Sequence, residues 1–485
     1  MSNRIVIEVQ PLQTRVALVE NGVLAEYYVE RPGRERLAGN IYKGRVANVL
    51  PGMEAAFVDI GLERNAFLYA GDVALNPEEF EFEGSKSSPV GASRPSIREL
   101  VRAGQELMVQ VTKDPAGSKG ARITTHVTLP GRLLVLMPTV DYVGVSRRIE
   151  DENLRAELKA KIESLRPHGM GIIVRTVAAE ASQEEMAEEI ASLLEIWDQI
   201  QHELHRTTAP ACLYRDSDLL MRAVRDMFSD HIDEMVINDA EAYEKARRMA
   251  ERICPELRGR IRHFTDSADI FDYYSLEEKV DKSFSRKVWL KSGGYLVIDH
   301  TEALTAIDVN TGKYVGEKDL QKTLVKTNLE AAQEIAHQVR LRDIGGIIII
   351  DFIDMLQAEH QQQVVAALKD ALKSDSTRTN VLGMTSLGLV EMTRKKVRQR
   401  VSTILHETCP YCNGSGRVLT AESVALKVLK ELRKLRQEDA EGRYMLKAHA
   451  DVADYLEQGA LLDDRVEIYR SRSAHIEFFR ISPVL

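Results

Sequence analysis

Long apolar runs are missing from this 485-residue sequence, in which no stretch approaches 18 consecutive apolar residues. A transmembrane helix needs about 20 such residues, so no membrane span is expected. The first ten residues, MSNRIVIEVQ, alternate like a β-strand and lack the charged, apolar and cleavage regions of a signal peptide. The sequence therefore predicts a cytoplasmic protein.

A strong excess of one charge is also missing. The sequence has 65 lysine and arginine residues and 74 aspartate and glutamate residues, for a net charge of −9. This balance argues against a protein that coats nucleic acid along its whole surface, although a local basic site stays open. With 44% hydrophobic and 29% charged residues, the composition is that of a globular protein. The length exceeds what one core supports, so roughly three to five subdomains are expected.

Cysteine is scarce, and its four copies fall into two groups. Cys212 in APACLYRD and Cys254 in ERICPEL each stand alone in ordinary surroundings. Free cysteine is among the most buried residue types, so both are predicted to be small core residues. Cys409 and Cys412, in the stretch CPYCNGSG, instead have the spacing of half a zinc site.

A structural zinc site needs four ligands, and the Cys409–Cys412 pair supplies two of them. Gly414 and Gly416 would let the backbone turn tightly and direct N–H groups at the thiolates. A second copy of the chain would complete a four-cysteine site across a two-fold axis, which predicts a zinc-linked homodimer. Two other interpretations stay open: a redox pair, which would require a thioredoxin-like βαβ context, or a turn that binds nothing.

Strand-rich and helical segments alternate along the chain, which predicts a multidomain α/β (α+β) protein. Asn21 and Gly22 join RVALVE to VLAEYYVE and indicate a β-hairpin. Short strands between residues 41 and 125 suggest a small closed barrel, interrupted by a polar loop at 76–97 that is rich in Gly, Ser and Pro. Helical periodicity marks three longer segments, residues 183–206, 319–340 and 358–373.

The predicted barrel has features that suit single-stranded nucleic acid. Phe57 and Phe67 lie in adjacent strand candidates, EAAFVDIG and NAFLYA, and flat aromatic faces can stack on bases. The same segment carries four cations: Lys43, Arg45, Lys113 and Lys119. The alternative is that both phenylalanine rings fill the core of the barrel.

Two aspartates are the best catalytic candidates. Asp308 in ALTAIDVN and Asp351 in IIIIDFID each end an apolar strand, so two such strands side by side would bring both carboxylates to one cation. Mg2+ held in this way can activate water and neutralise charge on a phosphodiester, with Asn310 and Asp354 close enough in sequence to assist. The alternative is that both aspartates are strand-end caps or turn residues.

A basic run follows these candidates, with five cations among residues 394–400 of TRKKVRQR. Close to a metal site, such a run would suit a phosphate backbone. The alternative is the solvated face of a helix.

Seven longer stretches together resemble the bacterial ribonuclease E/G family. They are NIYKGRVANVLPGMEAAFVDIGLERNAFL, VSRRIE, GMGIIVRT, GGYLVIDHTEALTAIDVNTGKYVG, TNLEAAQEIAHQVRLRDIGGIIIIDFIDM, GLVEMTRKKVR and CPYCNGSG. They follow the family's order and cover essentially the whole chain. NTGKYVG at 310–316 is of the family's G type, and the sequence ends without the long scaffold tail of the E type.

The resemblance implies an order of domains in which an S1 (OB) barrel is inserted in a ribonuclease H-like structural domain without its own catalytic centre. The implied parts are a ribonuclease H-like domain at 1–35 and 215–283, an S1 barrel at 36–125, a 5′ sensor region at 126–214, a DNase I-like catalytic domain at 284–405, a zinc link at 406–417 and a small C-terminal α/β domain at 418–485.

The resemblance also implies an activity. It is that of an endoribonuclease that cleaves single-stranded, AU-rich RNA, prefers a 5′-monophosphate end and takes part in 16S ribosomal RNA 5′-end maturation and messenger decay. Asp308 and Asp351 match the family's two Mg2+ ligands, with Asn310 helping to orient the scissile phosphate. Cys409 and Cys412 match a zinc link shared between two subunits, which implies a homodimer or a homotetramer.

Further positions match the family's RNA contacts. Phe57, Phe67 and Lys119 match barrel residues that grip RNA near the cut. The 5′-monophosphate pocket is matched by Gly131, Val135, Arg175, Thr176 and Arg378. An arginine fork with a hydroxyl and backbone N–H groups is suitable chemistry for a terminal phosphate. The loop at 76–97 has a composition of its own, and residues 141–150 are expected to differ in length from some relatives; either difference would alter substrate reach.

Two other function classes stay open. A non-catalytic RNA-binding protein would share the barrel, the basic run and the zinc-linked dimer, but it would not need the aspartate pair. A zinc-knuckle interaction module of the chaperone kind would carry several CxxCxGxG repeats, and this sequence carries one.

Overall fold

The computed structural model describes residues 3–33, 35–73, 95–115, 119–312, 320–396, 398 and 400–484. The chain divides into two compact units, Met1–Ile404 and Leu405–Leu485, and its architecture is the mixed α/β multidomain type that the sequence predicts. Most of the predicted loop at 76–97 and part of NTGKYVG lie outside the described residues. Of the helices that are described, none is both long and apolar enough to cross a membrane.

Three antiparallel strands open the first unit: β1 (Arg4–Gln10), β2 (Gln13–Glu20) and β3 (Val23–Glu30). Asn21 and Gly22, with φ of 52° and 81°, form the turn between β2 and β3. Two consecutive left-handed residues are what a tight hairpin turn requires, which confirms the hairpin predicted from Asn-Gly.

A closed five-stranded barrel follows. Its elements are β4 (Ile41–Leu50), β5 (Ala55–Asp59), β6 (Ala66–Tyr69), a short helix α1 (Ile97–Leu100), β7 (Glu106–Lys113) and β8 (Arg122–Thr124). The strands pair in the order β4-β5-β6-β8-β7, and pairing between β4 and β7 closes the ring. Ala56, Val58, Leu68, Val109 and Ile123 fill the interior.

A second sheet has the order β11-β12-β10-β9. This part of the chain comprises β9 (Leu129–Pro130), β10 (Leu134–Met137), β11 (Val143–Val145), α2 (Glu152–Leu165), β12 (Gly171–Val174), α3 (Gln183–Arg206) and β13 (Ala211–Tyr214). Ser182 and Glu185 form a capping box at the start of α3, the helix predicted from periodicity at 183–206.

The prediction for Cys212 is wrong, and that for Cys254 is confirmed. Cys212 lies on β13, which adds to the barrel at β4 as an end strand, and its side chain is exposed. An end strand has a neighbour on one side only, so a cysteine there need not face a core. Cys254, after a helix, is buried.

The chain then returns to its first sheet. The elements are α4 (Leu219–Arg222), β14 (Glu234–Ile237), α5 (Ala240–Ile253), β15 (Ile261–His263), α6 (Ile270–Tyr273) and α7 (Glu277–Ser283). β14 pairs parallel to β1, and β15 pairs parallel to β14, which gives the order β15-β14-β1-β2-β3. The barrel and the second sheet are thus inserted, in sequence, between the two halves of the first sheet.

The third sheet has six strands in the order β16-β17-β18-β19-β21-β20. Its elements are β16 (Lys287–Trp289), β17 (Tyr295–His300), β18 (Leu304–Asn310), α8 (Leu320–Leu341), β19 (Gly346–Asp351), α9 (Ala358–Ala371), β20 (Thr379–Met384) and β21 (Leu389–Arg394), followed by α10 (Val401–Leu405). The core of this sheet includes Ile307, Ile348 and Ile350, packed with residues of α8 and α9. Alternate residues therefore lie on the opposite face.

The second unit contains α11 (Ala421–Glu438), β22 (Tyr444–His449), α12 (Ala450–Gln458), β23 (Val466–Ser471) and β24 (Phe479–Pro483). The strand order is β23-β22-β24, with β22 and β23 parallel and joined through α12. This is a βαβ unit with one antiparallel strand added.

Candidate functional site

The two candidate aspartates lie directly opposite each other in the third sheet. β18 and β19 are parallel neighbours, and their register pairs Asp308 with Asp351. Residues paired in this way point to the same face, about 4.8 Å apart between strand axes. Both side chains are exposed. β18 continues past Asp308 to Asn310, so Asp308 lies inside its strand and not at the end that the sequence suggested.

A hydrogen bond orients one of these carboxylates. The Asn310 side-chain amide donates to Oδ2 of Asp308 at 2.8 Å, and the two residues share one face because they are two positions apart. Partial burial and the negative charges of Asp308 and Asp354 raise the pKa of Asp351. A cation next to Asp351 would offset this repulsion from Asp308 and Asp354.

The donor set of this site fits Mg2+. No group of three or more His, Cys, Asp or Glu side chains that could hold a metal is found among the described residues. Mg2+, however, usually takes only one or two protein carboxylates and completes its shell with water and substrate phosphate oxygens. Asp308 and Asp351 supply that number of hard oxygen ligands.

The predicted aromatic pair lies on the outside of the barrel. Phe57 on β5 is paired with Phe67 on β6, and their ring centroids are 5.6 Å apart. Both rings are half-buried, while the alternating neighbours Ala56, Val58 and Leu68 fill the interior. The alternative that both rings form the barrel core is therefore wrong.

A third aromatic ring extends this surface and was not predicted. Tyr69, two residues after Phe67, is exposed, and its ring centroid is 4.3 Å from that of Phe67. The guanidinium of Arg122 lies over the Tyr69 ring at 5.0 Å and also pairs with Asp72. The period of two along β6 was the signal that could have identified Tyr69.

The four predicted cations of the barrel differ in their surroundings. Lys113 and Lys119 are exposed. Lys43 instead donates to the carbonyl oxygens of Leu204 and Thr207, and its Nζ lies 3.3 Å from the Glu106 carboxylate. Its ammonium group therefore has partners within the protein. Arg45 is exposed and pairs with Glu106 at 2.9 Å.

Three of the residues predicted for a phosphate pocket come together beside β10 and β12. Nη1 of Arg175 donates to the carbonyl oxygen of Gly131 at 2.6 Å and to Asp226 at 2.9 Å. Thr176 is exposed, and its hydroxyl lies 3.1 Å from that of Ser146 in the VSRRIE stretch.

The remaining two predicted pocket residues lie on or next to strands of two different sheets. Val135 lies on β10, paired with Ile173 of β12. Arg378 is exposed just before β20. Arg148 donates to the carbonyl oxygen of Asp375, which joins the VSRRIE stretch to the segment that leads to Arg378.

Glu189 on α3 supports this pocket and was missed by sequence reasoning. Its carboxylate accepts three backbone N–H groups, from Arg132, Leu133 and Leu134, at 2.6, 2.9 and 2.8 Å. A Cβ atom at Gly131 would lie 2.6 Å from the Glu189 carboxyl carbon, so a larger residue there would displace this carboxylate. Burial raises the pKa of Glu189, against the effect of these N–H groups.

The basic run at 394–400 is neither a helix face nor a uniformly available phosphate-binding surface in the residues that the structure describes. β21 ends at Arg394, and α10 begins only at Val401. Arg394 is buried against two aspartates, and Arg398 lies over the ring of Tyr28 at 4.2 Å. Lys395 and Lys396 are exposed.

The two cysteines of CPYCNGSG lie in a tight turn of the second unit. Gly414 and Gly416 have φ of 80° and 67°, and the Gly416 N–H donates to Sγ of Cys412 at 3.3 Å. This N–H group, with that of Gly414, lowers the pKa of Cys412, which favours the thiolate that a metal needs. The glycines thus act as the sequence predicts.

Comparison with known proteins identifies the relatives. Residues 128–397 match the model of the Ribonuclease E/G family. Ribonuclease G of Escherichia coli (strain K12) is 42% identical over 94% of this chain and 92% of its own length. The chain belongs to the ribonuclease E/G family. Ribonuclease E of the same strain is 38% identical over 94% of this chain but only 42% of its own length.

The family membership confirms the resemblance seen in the motifs, including its G type. Ribonuclease G of Haemophilus influenzae (strain ATCC 51907 / DSM 11121 / KW20 / Rd) is also 42% identical, over 93% of this chain and 91% of its own length. Residues 408–459 match the model "RNase E/G, Thioredoxin-like domain". The βαβ unit fits that fold name, but Cys409 and Cys412 precede α11 and do not lie at the start of a helix.

Proposed function

We propose that this member of the ribonuclease E/G family is an endoribonuclease that hydrolyses single-stranded, AU-rich RNA with the help of Mg2+. The observation that supports it most is the register of β18 and β19, which pairs Asp308 with Asp351 on an open sheet face. A protein that only binds RNA would have no need of two like charges held side by side.

Asp308 and Asp351 would hold the cation, and Asn310 keeps the Asp308 carboxylate oriented through its 2.8 Å hydrogen bond. When bound, Mg2+ supplies an activated water and neutralises charge on the scissile phosphodiester. The amide of Asn310 would also help to position the phosphate, and the products would carry 5′-phosphate and 3′-hydroxyl ends.

Two surfaces would hold the RNA. Phe57, Phe67 and Lys119, on a barrel of the S1 type, would stack on bases and attract the backbone. Arg175 and Thr176, with Gly131, Val135 and Arg378, would recognise a 5′-monophosphate. Arg175 donates to the carbonyl oxygen of Gly131 and to the carboxylate of Asp226, and these two bonds would hold its guanidinium next to the pocket.

The proposal extends to assembly and domain roles. Cys409 and Cys412 would bind Zn2+ with the same pair of a second chain, giving a homodimer. Two such dimers would form the homotetramer. The proposed domains are the ribonuclease H-like, S1, 5′ sensor, DNase I-like, zinc-link and small C-terminal parts at the boundaries given above. The proposed setting is cytoplasmic, in ribosomal RNA maturation and messenger decay.

A cleavage assay tests the proposal. The purified protein is incubated with a short AU-rich RNA carrying a 5′-monophosphate or a 5′-hydroxyl, with Mg2+ or with EDTA. Cleavage that needs Mg2+ and is faster on the monophosphate is expected. Asp308→Asn should abolish cleavage and keep RNA binding.

Asp299→Asn is the matched control, because Asp299 lies on the same sheet but is paired with Arg286. Wild-type turnover in Asp308→Asn would refute the assignment of the aspartates. Binding without any cleavage by the wild-type protein would favour the non-catalytic RNA-binding alternative. For the zinc link, Cys409→Ser should halve the mass measured by light scattering, and an unchanged mass would contradict it.

A further inference from the structure

A compact group of one cation and two aromatic rings lies at the edge of the third sheet. Trp289 on β16 is paired with Tyr295 on β17, and their ring centroids are 5.4 Å apart. Nζ of Lys287 lies 4.1 Å from the centroid of Trp289 and 3.5 Å from that of Tyr295. Trp289 is 63% exposed, which is unusual for so large an apolar side chain.

The register places this group on the same face as the aspartates. Val297 of β17 is paired with both Lys287 and Asp308, and Asp308 is paired with Asp351. These residues therefore form one row across four strands. In the next row Tyr295 is paired with both Trp289 and Asn310.

Distance follows from this register. Two strand spacings of about 4.8 Å separate Lys287 from Asp308, or roughly 10 Å in the plane of the sheet. The same spacing separates Trp289 from Asn310. A phosphodiester held at the aspartates would thus have a neighbouring nucleotide within reach of the group.

Packing of the core does not explain why a tryptophan stands at position 289. The neighbouring positions Leu290 and Leu296 supply the core contacts, while Trp289 stays on the open face. A lysine on an end strand is enough to discourage unwanted strand pairing, so that role does not call for a tryptophan. Flat rings beside a cation are the combination that binds unpaired bases and their backbone without reading sequence.

We propose that Lys287, Trp289 and Tyr295 form a base-stacking platform for single-stranded RNA next to the scissile phosphate. The proposal rests on the function proposed above and adds a substrate-contacting site on the sheet that carries Asp308 and Asp351. Trp289 and Tyr295 stack with a base, and the Lys287 ammonium attracts the adjoining phosphate. The platform therefore strengthens binding at the site of cleavage.

The tryptophan itself provides the assay, because the chain contains two, Trp197 and Trp289, and Trp197 is only 8% exposed. The experiment uses full-length protein with Asp308→Asn, so that RNA stays intact. A fluorescently end-labelled AU-rich single strand is titrated, with binding followed by anisotropy and, for unlabelled RNA, by tryptophan emission. Quenching on RNA binding is expected, and it should disappear when Trp289→Phe is added.

Affinity gives a second readout. Trp289→Ala should weaken binding about 5- to 150-fold, the range for loss of one stacked base, and Trp289→Phe should weaken it less. Lys287→Met should lower the salt dependence of binding, with a slope reduced by about 0.7 for one phosphate contact. Tyr469→Ala is the matched control, since Tyr469 is an exposed ring with Lys447 over it at 5.4 Å on another sheet.

The outcomes separate this inference from the proposed function. RNA binding without Trp289-dependent quenching, together with Trp289→Ala affinity within about twofold of the parent, overturns the platform. In that case the group only stabilises an edge strand, while Mg2+-dependent cleavage by protein with native Asp308 still supports the function. Absence of any RNA binding overturns both.

Discussion

Replacing Arg394 with methionine should destabilise the sheet that carries the aspartate pair and leave RNA contacts intact. Nε and Nη2 of Arg394 bind the Asp375 carboxylate at 2.7 and 3.2 Å, and Nη1 binds Asp343 at 2.5 Å. The exposed fractions of these side chains are 4%, 0% and 10% for Arg394, Asp375 and Asp343. The substitution would leave two buried carboxylates without their cation.

The expected loss of stability follows from the burial of these three side chains. Removing one partner of a buried ion pair costs about 3–5 kcal/mol, because the remaining charge is not solvated. Arg394→Lys should lose less stability than Arg394→Met but more than none, because an ammonium keeps the charge and cannot make the two-point contact with Asp375. Asp375→Asn and Asp343→Asn, added to Arg394→Met, should recover part of the loss.

Hydrogen exchange measured by mass spectrometry gives a local assay in this two-unit chain. Amides of β19 and β21 that exchange through opening of the sheet should exchange about two to four orders of magnitude faster in Arg394→Met. Lys395→Met is the matched control, because Lys395 is the exposed neighbour in the same basic run. A surface change of this kind usually alters the free energy of unfolding by less than about 0.5 kcal/mol.

The opposite result would refute the reasoning. If Arg394→Met changed stability by under about 1 kcal/mol but weakened RNA binding and its salt dependence, Arg394 would be the phosphate contact that the charge pattern suggested.

Three further changes test other parts of the structure. Tyr69→Ala should weaken binding of single-stranded RNA about 5- to 150-fold in an anisotropy titration, and unchanged affinity would exclude that ring from the barrel surface. Glu189→Gln should cost about 1–3 kcal/mol in thermal unfolding, because an amide has one oxygen for the three N–H groups that the carboxylate accepts; an unchanged melting temperature would contradict this. Burial opposes charge on His337, but Glu334 and the carbonyl of Leu24 outweigh it and raise the pKa of His337 above 6.5. Its contribution to stability should be complete below about pH 6.5 and fall as pH rises through the raised pKa, a slope that His337→Gln should remove from urea titrations.

The aspartate pair was predictable because local sequence carries most of its geometry. Four isoleucines before Asp351 and the alternating residues before Asp308 indicate strands, and the connecting helical segment indicates a parallel crossover. Parallel neighbours in register then bring both carboxylates to one face. The exact strand end was less predictable, since Asp308 lies two residues inside β18.

Long-range partners were the part that the sequence could not supply. Arg394 and Lys395 are adjacent cations in one run, yet the first is buried and the second exposed. Asp375 and Asp343, which make the difference, are 19 and 51 residues away from Arg394. Glu189 is likewise separated by more than 50 residues from the N–H groups that it caps. Charge patterning gives no information on such pairs until the fold is known.

The alternation of aspartate and isoleucine on β19 disfavours any one-residue shift of this strand against β18. A shift of β19 by one residue against β18 would turn Asp351 toward α8 and α9 and expose Ile350. That arrangement would bury an unpaired carboxylate in the apolar core and remove a fully buried isoleucine from it. Both changes are unfavourable, so the alternation of aspartate with isoleucine selects the one pairing that leaves the two carboxylates together on the open face. The same pairing continues through β17 to β16, and it therefore also fixes where Trp289 lies relative to the aspartates.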